Sequence, residues 1–151
     1  MARVLIVGCG CRGQALARDL CTAGHAVRGT TRDPGRTAAI AAAGAEPYVG
    51  DPDRIGTLMD ALAAVTVVCW LMGTLPVPEL HGGRLRMLWE KLVDTPVRGV
   101  LYEGALPEGE DVARTASQTW QIPLEILHTD PLDHDAWVRA ARGAVDRLLG
   151  V

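Results

Sequence analysis

The 151-residue chain is 48% apolar and 22% charged, with a formal net charge of −3. This balance excludes a disordered chain, and the length fits one domain able to bury a core. No basic block marks a nucleic-acid surface, no apolar run reaches the ~18 residues needed to cross a bilayer, and no charged leader precedes the first element, so a cytoplasmic protein without nucleic-acid or membrane partners is expected.

The first element is the most informative. Arg3–Val7 reads as a strand, Gly8, Gly10 and Gly13 follow in G-x-G-x-x-G order, and Gln14–Ala23 reads as a helix. Strand, glycine turn and helix together cradle a dinucleotide pyrophosphate. Gly8 permits the tight turn, Gly10 leaves room for the phosphates, and Gly13 lets helix and strand pack closely. The helix N-terminus adds free N–H groups and partial positive charge. Cys11 and Arg12 lie inside this turn, and Arg12 has three options: the pyrophosphate, a 2′-phosphate, or water.

Four cysteines, Cys9, Cys11, Cys21 and Cys69, include one C-x-C pair and no second pair. Reduced thiols and no metal site are expected.

Ala26–Thr31 is the second strand. Where NAD-binding domains place a carboxylate at its end to accept from the ribose, this chain has Thr30, Thr31 and Arg32. Two hydroxyls and a guanidinium suit a 2′-phosphate, which favours NADP over NAD. Asp33, before Pro34, reads as a cap for the helix Pro34–Ala43. Ala45–Gly50 is a third strand, and Pro47 puts it at a sheet edge. Asp51 follows, placed either to accept from an adenine amino group or to cap the next helix.

Ile55, Leu58, Met59 and Leu62 have the spacing of an amphipathic helix. Val65–Met72 is almost wholly apolar, as expected of a strand covered on both faces. Met72, Gly73 and Thr74 then lie at the carboxyl end of a central strand, where open α/β sheets bind ligands. A helix with apolar face Leu85, Leu88, Trp89 and Leu92 precedes a fifth strand, Val97–Tyr102. Glu108–Trp120 is a polar helix, Ile122–Leu127 a sixth strand, and Asp133–Leu149 the last helix. The alternation predicts an α/β fold: a single doubly wound parallel sheet, order 3-2-1-4-5-6, with helices on both faces. Trp89 or Trp137 could sit on an unpaired apolar helix face, the basis for expecting a homodimer.

Four pieces, VLIVGCGCRG, GHAVRGTTRDP, AGAEPYVGD and LMDALAAVTVVCWLMG, together resemble the NADP-binding half of extended and atypical short-chain dehydrogenases/reductases. That group includes nucleotide-sugar epimerase-like and NmrA-like proteins. The resemblance covers residues 1–75 and continues as a Rossmann pattern. It implies that Gly8, Gly10 and Gly13 hold the pyrophosphate, that Arg12, Thr31 and Arg32 meet the 2′-phosphate, that Asp51 faces the adenine, and that Met72 and Gly73 lie against the nicotinamide-side ribose. The commoner glycine spacing in that group is G-x-x-G-x-x-G.

The catalytic members use Tyr-x-x-x-Lys, with a Ser near the end of strand five. Here the tyrosines are Tyr48 and Tyr102, and four residues after them stand Pro52 and Leu106. The lysine count is one, Lys91, and the Ser position holds Glu103 or Gly104. His81, Tyr102 and Glu103 are the remaining candidates for acid/base chemistry, His81 because its ordinary pKa suits neutral pH. His128–Asp135 is dense in His and Asp, but Asp133 and Asp135 suit a helix start. With the familiar machinery missing, the reading is a non-catalytic NADP(H)-binding or sensing module. The alternative is an NADPH-dependent oxidoreductase whose substrate pocket a homodimer partner completes. FAD and S-adenosylmethionine are disfavoured, because both usually hydrogen-bond a carboxylate at the end of strand two.

Overall fold

The computed structural model describes residues 2–151. Six parallel strands form one sheet: β1 (Arg3–Val7), β2 (Ala26–Thr31), β3 (Glu46–Val49), β4 (Val67–Leu71), β5 (Gly99–Glu103) and β6 (Leu124–Leu127), in the order β3-β2-β1-β4-β5-β6. The α-helices are α1 (Cys11–Thr22), α2 (Thr37–Ala42), α3 (Gly83–Leu92), α4 (Pro107–Trp120) and α5 (His134–Leu149). β3 is an edge strand, so Pro47 costs no ladder bond on its open side.

Strand alternation builds two cores. Leu5 and Val7 of β1, Val68 and Trp70 of β4, and Val100 and Tyr102 of β5 pack beneath α3 and α4. Val4 and Ile6, Val67 and Cys69, and Leu101 turn to the other face, beneath α1, α2 and α5. All five residues of β4 are buried, which explains why its sequence shows no polar alternation.

Three departures from the expected elements bear on function. First, α1 begins at Cys11, so Cys11, Arg12 and Gly13 form its first turn. Second, β5 runs to Glu103, which places that carboxylate at the carboxyl end of the sheet. Third, the helix expected across Ile55–Leu62 is two 3-10 turns, Ile55–Leu58 and Asp60–Leu62. Its apolar positions are still buried, Met59 partly. The buried Arg28 side chain donates from Nη1 to the carbonyls of Ala61 (2.6 Å) and Ala63 (3.2 Å), at the end of this segment.

The expectation of an unpaired apolar face at Trp89 or Trp137 is corrected. Both indoles are fully buried within the chain, one in each core. Among the described residues, no helix is long and apolar enough to cross a membrane.

Candidate functional site

At the carboxyl end of the sheet, the glycine turn walls a cleft of about 330 Å³. Gly8 has φ +84°, and a Cβ there would lie 2.9 Å from the Leu71 carbonyl oxygen. A Cβ on Gly13 would approach Ile6 to 3.2 Å and the Gly8 carbonyl to 3.3 Å. The fold itself therefore demands glycine at position 8, while at Gly13 a side chain would make its neighbours give by a few tenths of an ångström. Gly10 differs: a Cβ there would meet no heavy atom within 4 Å. Beside it, the N–H groups of Cys11, Arg12 and Gly13 head α1 with no carbonyl a turn behind them, and all three residues line the cleft.

The second strand supplies the far wall. The Thr30 hydroxyl accepts from the Gly8 N–H at 3.1 Å, and the Thr30 carbonyl accepts from the Cys9 N–H at 3.0 Å. Thr30 and Thr31 both line the cleft, and the Thr30 hydroxyl, though buried, accepts from the turn and keeps its own hydrogen to donate. The Thr31 hydroxyl accepts from the Asp33 N–H at 3.1 Å. Arg32 lines the cleft, and so does Arg36, which sequence reading passed over because it belongs to the next turn of chain. Asp33 directs its carboxylate to the Gly35 N–H at 2.8 Å, capping the 3-10 turn Pro34–Arg36 as expected. Asp51 lies outside the lining, flanked by Gly50 and Pro52, which are in it. Its Oδ1 accepts from the Asp53 N–H at 2.9 Å within the turn, and the 3-10 turn Ile55–Leu58 that follows has no side-chain cap.

On the β4 side, Leu71, Met72, Thr74 and Leu75 reach the cleft, and Gly73 does not. Gly73 lies against Glu103, where a Cβ would come within 2.3 Å of the carboxyl carbon. Its N–H donates to Glu103 Oε1 at 3.1 Å. Glu103 Oε2 accepts from Arg12 Nη1 at 2.5 Å and from the Trp137 indole N–H at 2.6 Å. The Arg12 guanidinium also stacks 4.6 Å above the Trp137 ring. Arg12 therefore lines the cleft while its charge is held by Glu103. Trp137 belongs to α5, and no local pattern links it to residues 12 and 103, so sequence reading missed this cluster.

His81 and Tyr102 are tied to each other. His81 Nε2 is 2.8 Å from the Leu75 carbonyl, which only accepts, so Nε2 carries the proton. Nδ1, 2.6 Å from the Tyr102 oxygen, then accepts the phenol hydrogen. Burial, with a smaller contribution from the Glu110 charge, pushes the Tyr102 pKa well above its ordinary range. Both rings are buried, and both imidazole nitrogens are engaged, so neither group is aimed at the cleft as an acid. In the His128–Asp135 stretch, His128 Nε2 meets Glu110 at 2.7 Å, and the Asp133 side chain accepts from the Ala136 N–H to cap α5.

No protein-family model matches the chain, and no curated protein does. Solved structures do match. A triphenylmethane reductase from Citrobacter sp. superposes with TM-score 0.69 at 19% identity, over 84% of this chain and 48% of that one. The fold is Rossmann-like. The same Citrobacter enzyme complexed with NADP(H) gives TM-score 0.67 at 19% identity, over 84% of this chain and 49% of that one. An NADPH-dependent quinone oxidoreductase from Escherichia coli complexed with NADPH gives 0.67 at 18%, over 83% of this chain and 48% of that one. The chain thus spans about half the length of these structures.

Proposed function

We propose that this chain binds NADP(H) in the cleft over the glycine turn, as a reductase-related module that holds the dinucleotide without acid/base machinery of its own. The observation that carries the reading is Gly10. The fold has no need of glycine there, but a pyrophosphate docking on the head of α1 does. The N–H groups of Cys11, Arg12 and Gly13 would hold the pyrophosphate. Arg32 and Arg36 would flank a 2′-phosphate, and the acid nearest the end of β2, Asp33, is occupied in capping. NADP(H) and NADPH complexes among the structural neighbours support the same ligand. The missing Tyr-x-x-x-Lys and the mutual engagement of His81 and Tyr102 support the non-catalytic part.

A second reading, an NADPH-dependent oxidoreductase with a pocket completed by a partner subunit, is favoured by the presence of reductases among the structural neighbours. Bound NADPH would supply hydride there.

Gly10→Ala tests the binding reading. The variant should match the parent in thermal stability, since the added methyl meets nothing within 4 Å. It should weaken NADPH binding at least about tenfold, measured by nicotinamide fluorescence, because a methyl group obstructs phosphate approach. Unchanged NADPH affinity in a folded Gly10→Ala protein contradicts the proposal.

A further inference from the structure

Two consecutive residues of β5 hold the chain that leaves β4, one from each face of the sheet. Tyr102 turns to the side of α3 and α4, and Glu103 to the side of α1 and α5, as strand alternation requires. Glu103 Oε1 accepts from the Gly73 N–H at 3.1 Å. Tyr102 reaches the same segment through His81. Its hydroxyl donates to His81 Nδ1 at 2.6 Å, and His81 Nε2 donates to the Leu75 carbonyl at 2.8 Å. That carbonyl also accepts from the Val77 N–H at 2.8 Å, so both of its lone pairs are used. The phenol fills the space that side chains at Gly104 and Gly109 would take. A side chain without a donor and an acceptor at position 81 would strip the Leu75 carbonyl of one partner and bury the Tyr102 hydroxyl unpaired.

The segment held in this way is a wall of the cleft over the glycine turn, lined by Thr74 and Leu75. Leu75 is 42% exposed and His81 only 1%, so a buried imidazole sets the backbone of an exposed wall residue. The strand order says which part of a ligand this wall meets. Arg32 and Arg36 follow β2, the glycine turn follows β1, Thr74 and Leu75 follow β4, and β1 lies between β2 and β4. With a 2′-phosphate at the arginines and the pyrophosphate on the head of α1, the nicotinamide riboside half falls at the β4 wall. We infer that His81 is a positioning residue for that half. Through the Leu75 carbonyl it fixes the Thr74–Leu75 wall against which the nicotinamide riboside rests. This role rests on the NADP(H) reading of the cleft.

Calorimetry on the full chain with two ligands tests it: NADPH, and adenosine 2′,5′-bisphosphate, which has the 2′-phosphate end and no nicotinamide riboside. His81→Phe should weaken NADPH about tenfold and leave the bisphosphate unchanged. His81→Gln, whose amide N–H can donate to the same carbonyl, should recover most of that loss. Tyr102→Phe removes a single oxygen and should also weaken NADPH alone, and it decides the matter if His81→Phe does not fold. Unchanged NADPH affinity in either folded variant overturns the role. So does an equal loss of both ligands, which a general loosening of the fold would give. A parent protein that binds the bisphosphate as tightly as NADPH has no grip on the nicotinamide riboside, and the role falls while the 2′-phosphate site stands. A parent that binds neither ligand overturns the NADP(H) reading, and the role of His81 with it.

Discussion

Glu103 is held from three directions: the Arg12 guanidinium, the Trp137 indole and the Gly73 backbone N–H. A buried carboxylate survives in an apolar setting only when paired and hydrogen-bonded, and here every partner comes from a different element. Removing it by Glu103→Ala leaves the Arg12 charge unpaired beneath the cleft and the Trp137 donor empty. The expected loss is about 3 kcal/mol in chemical denaturation. In the same variant Arg12 is released towards the cleft, so NADPH affinity should hold or improve while stability falls. A loss of NADPH binding in step with stability would mean that Glu103 serves the ligand directly. The contrast with Gly10 is instructive. Glu103 serves the fold and Gly10 does not, yet neither role can be told from the residue type alone.

Among the elements, the crossover between β3 and β4 shows most clearly how tertiary contacts override a local pattern. Ile55, Leu58, Met59 and Leu62 have helical spacing, and all of these but Met59 are fully buried, yet the segment is two 3-10 turns. Arg28, buried in β2 and paired with Glu46 at 3.1 Å, takes the carbonyls at its end. Arg28→Met should therefore cost about 2 kcal/mol and raise amide hydrogen exchange across residues 55–65 more than in β1 or β4. Uniform protection loss would show that Arg28 supports the sheet at large instead. The rest of the architecture was legible because it is written in short-range signals. The glycine triplet, the unbroken apolar run of β4 and Pro47 on the edge strand each impose a local constraint that fixes sheet order. The Arg12–Glu103–Trp137 cluster and the His81–Tyr102 pair were not legible, because each joins residues brought together only by the crossovers. The second role of Thr30 was hidden for a related reason: its hydroxyl lines the cleft and also accepts from the Gly8 N–H, a partner 22 residues away in the chain.

Across the whole molecule, the core beneath α1, α2 and α5 carries a pH signature. Burial pushes the Cys9 and Cys69 thiols up to about 12 from 9.0, and for Cys69 the nearby Cys9 adds to the effect. The unfolded chain releases these protons first. Above the unfolded value the native state therefore binds more protons, and stability falls as pH rises from about 9 towards 12. Two such thiols give a slope of about 3 kcal/mol per pH unit in that window, and none below it. Urea denaturation across alkaline pH should show this fall, and Cys69→Ala should make it shallower. A flat profile would mean that the thiols are solvated.

The central claim, that the glycine-turn cleft takes NADP(H), is tested most directly by calorimetric titration with NADPH and NADH side by side. Arg32 and Arg36 on the cleft, with Asp33 turned away to its cap, predict NADPH tighter by at least about tenfold. That preference should collapse in Arg32→Ala/Arg36→Ala. Equal or tighter binding of NADH by the parent protein, or no binding of either dinucleotide, would contradict the account.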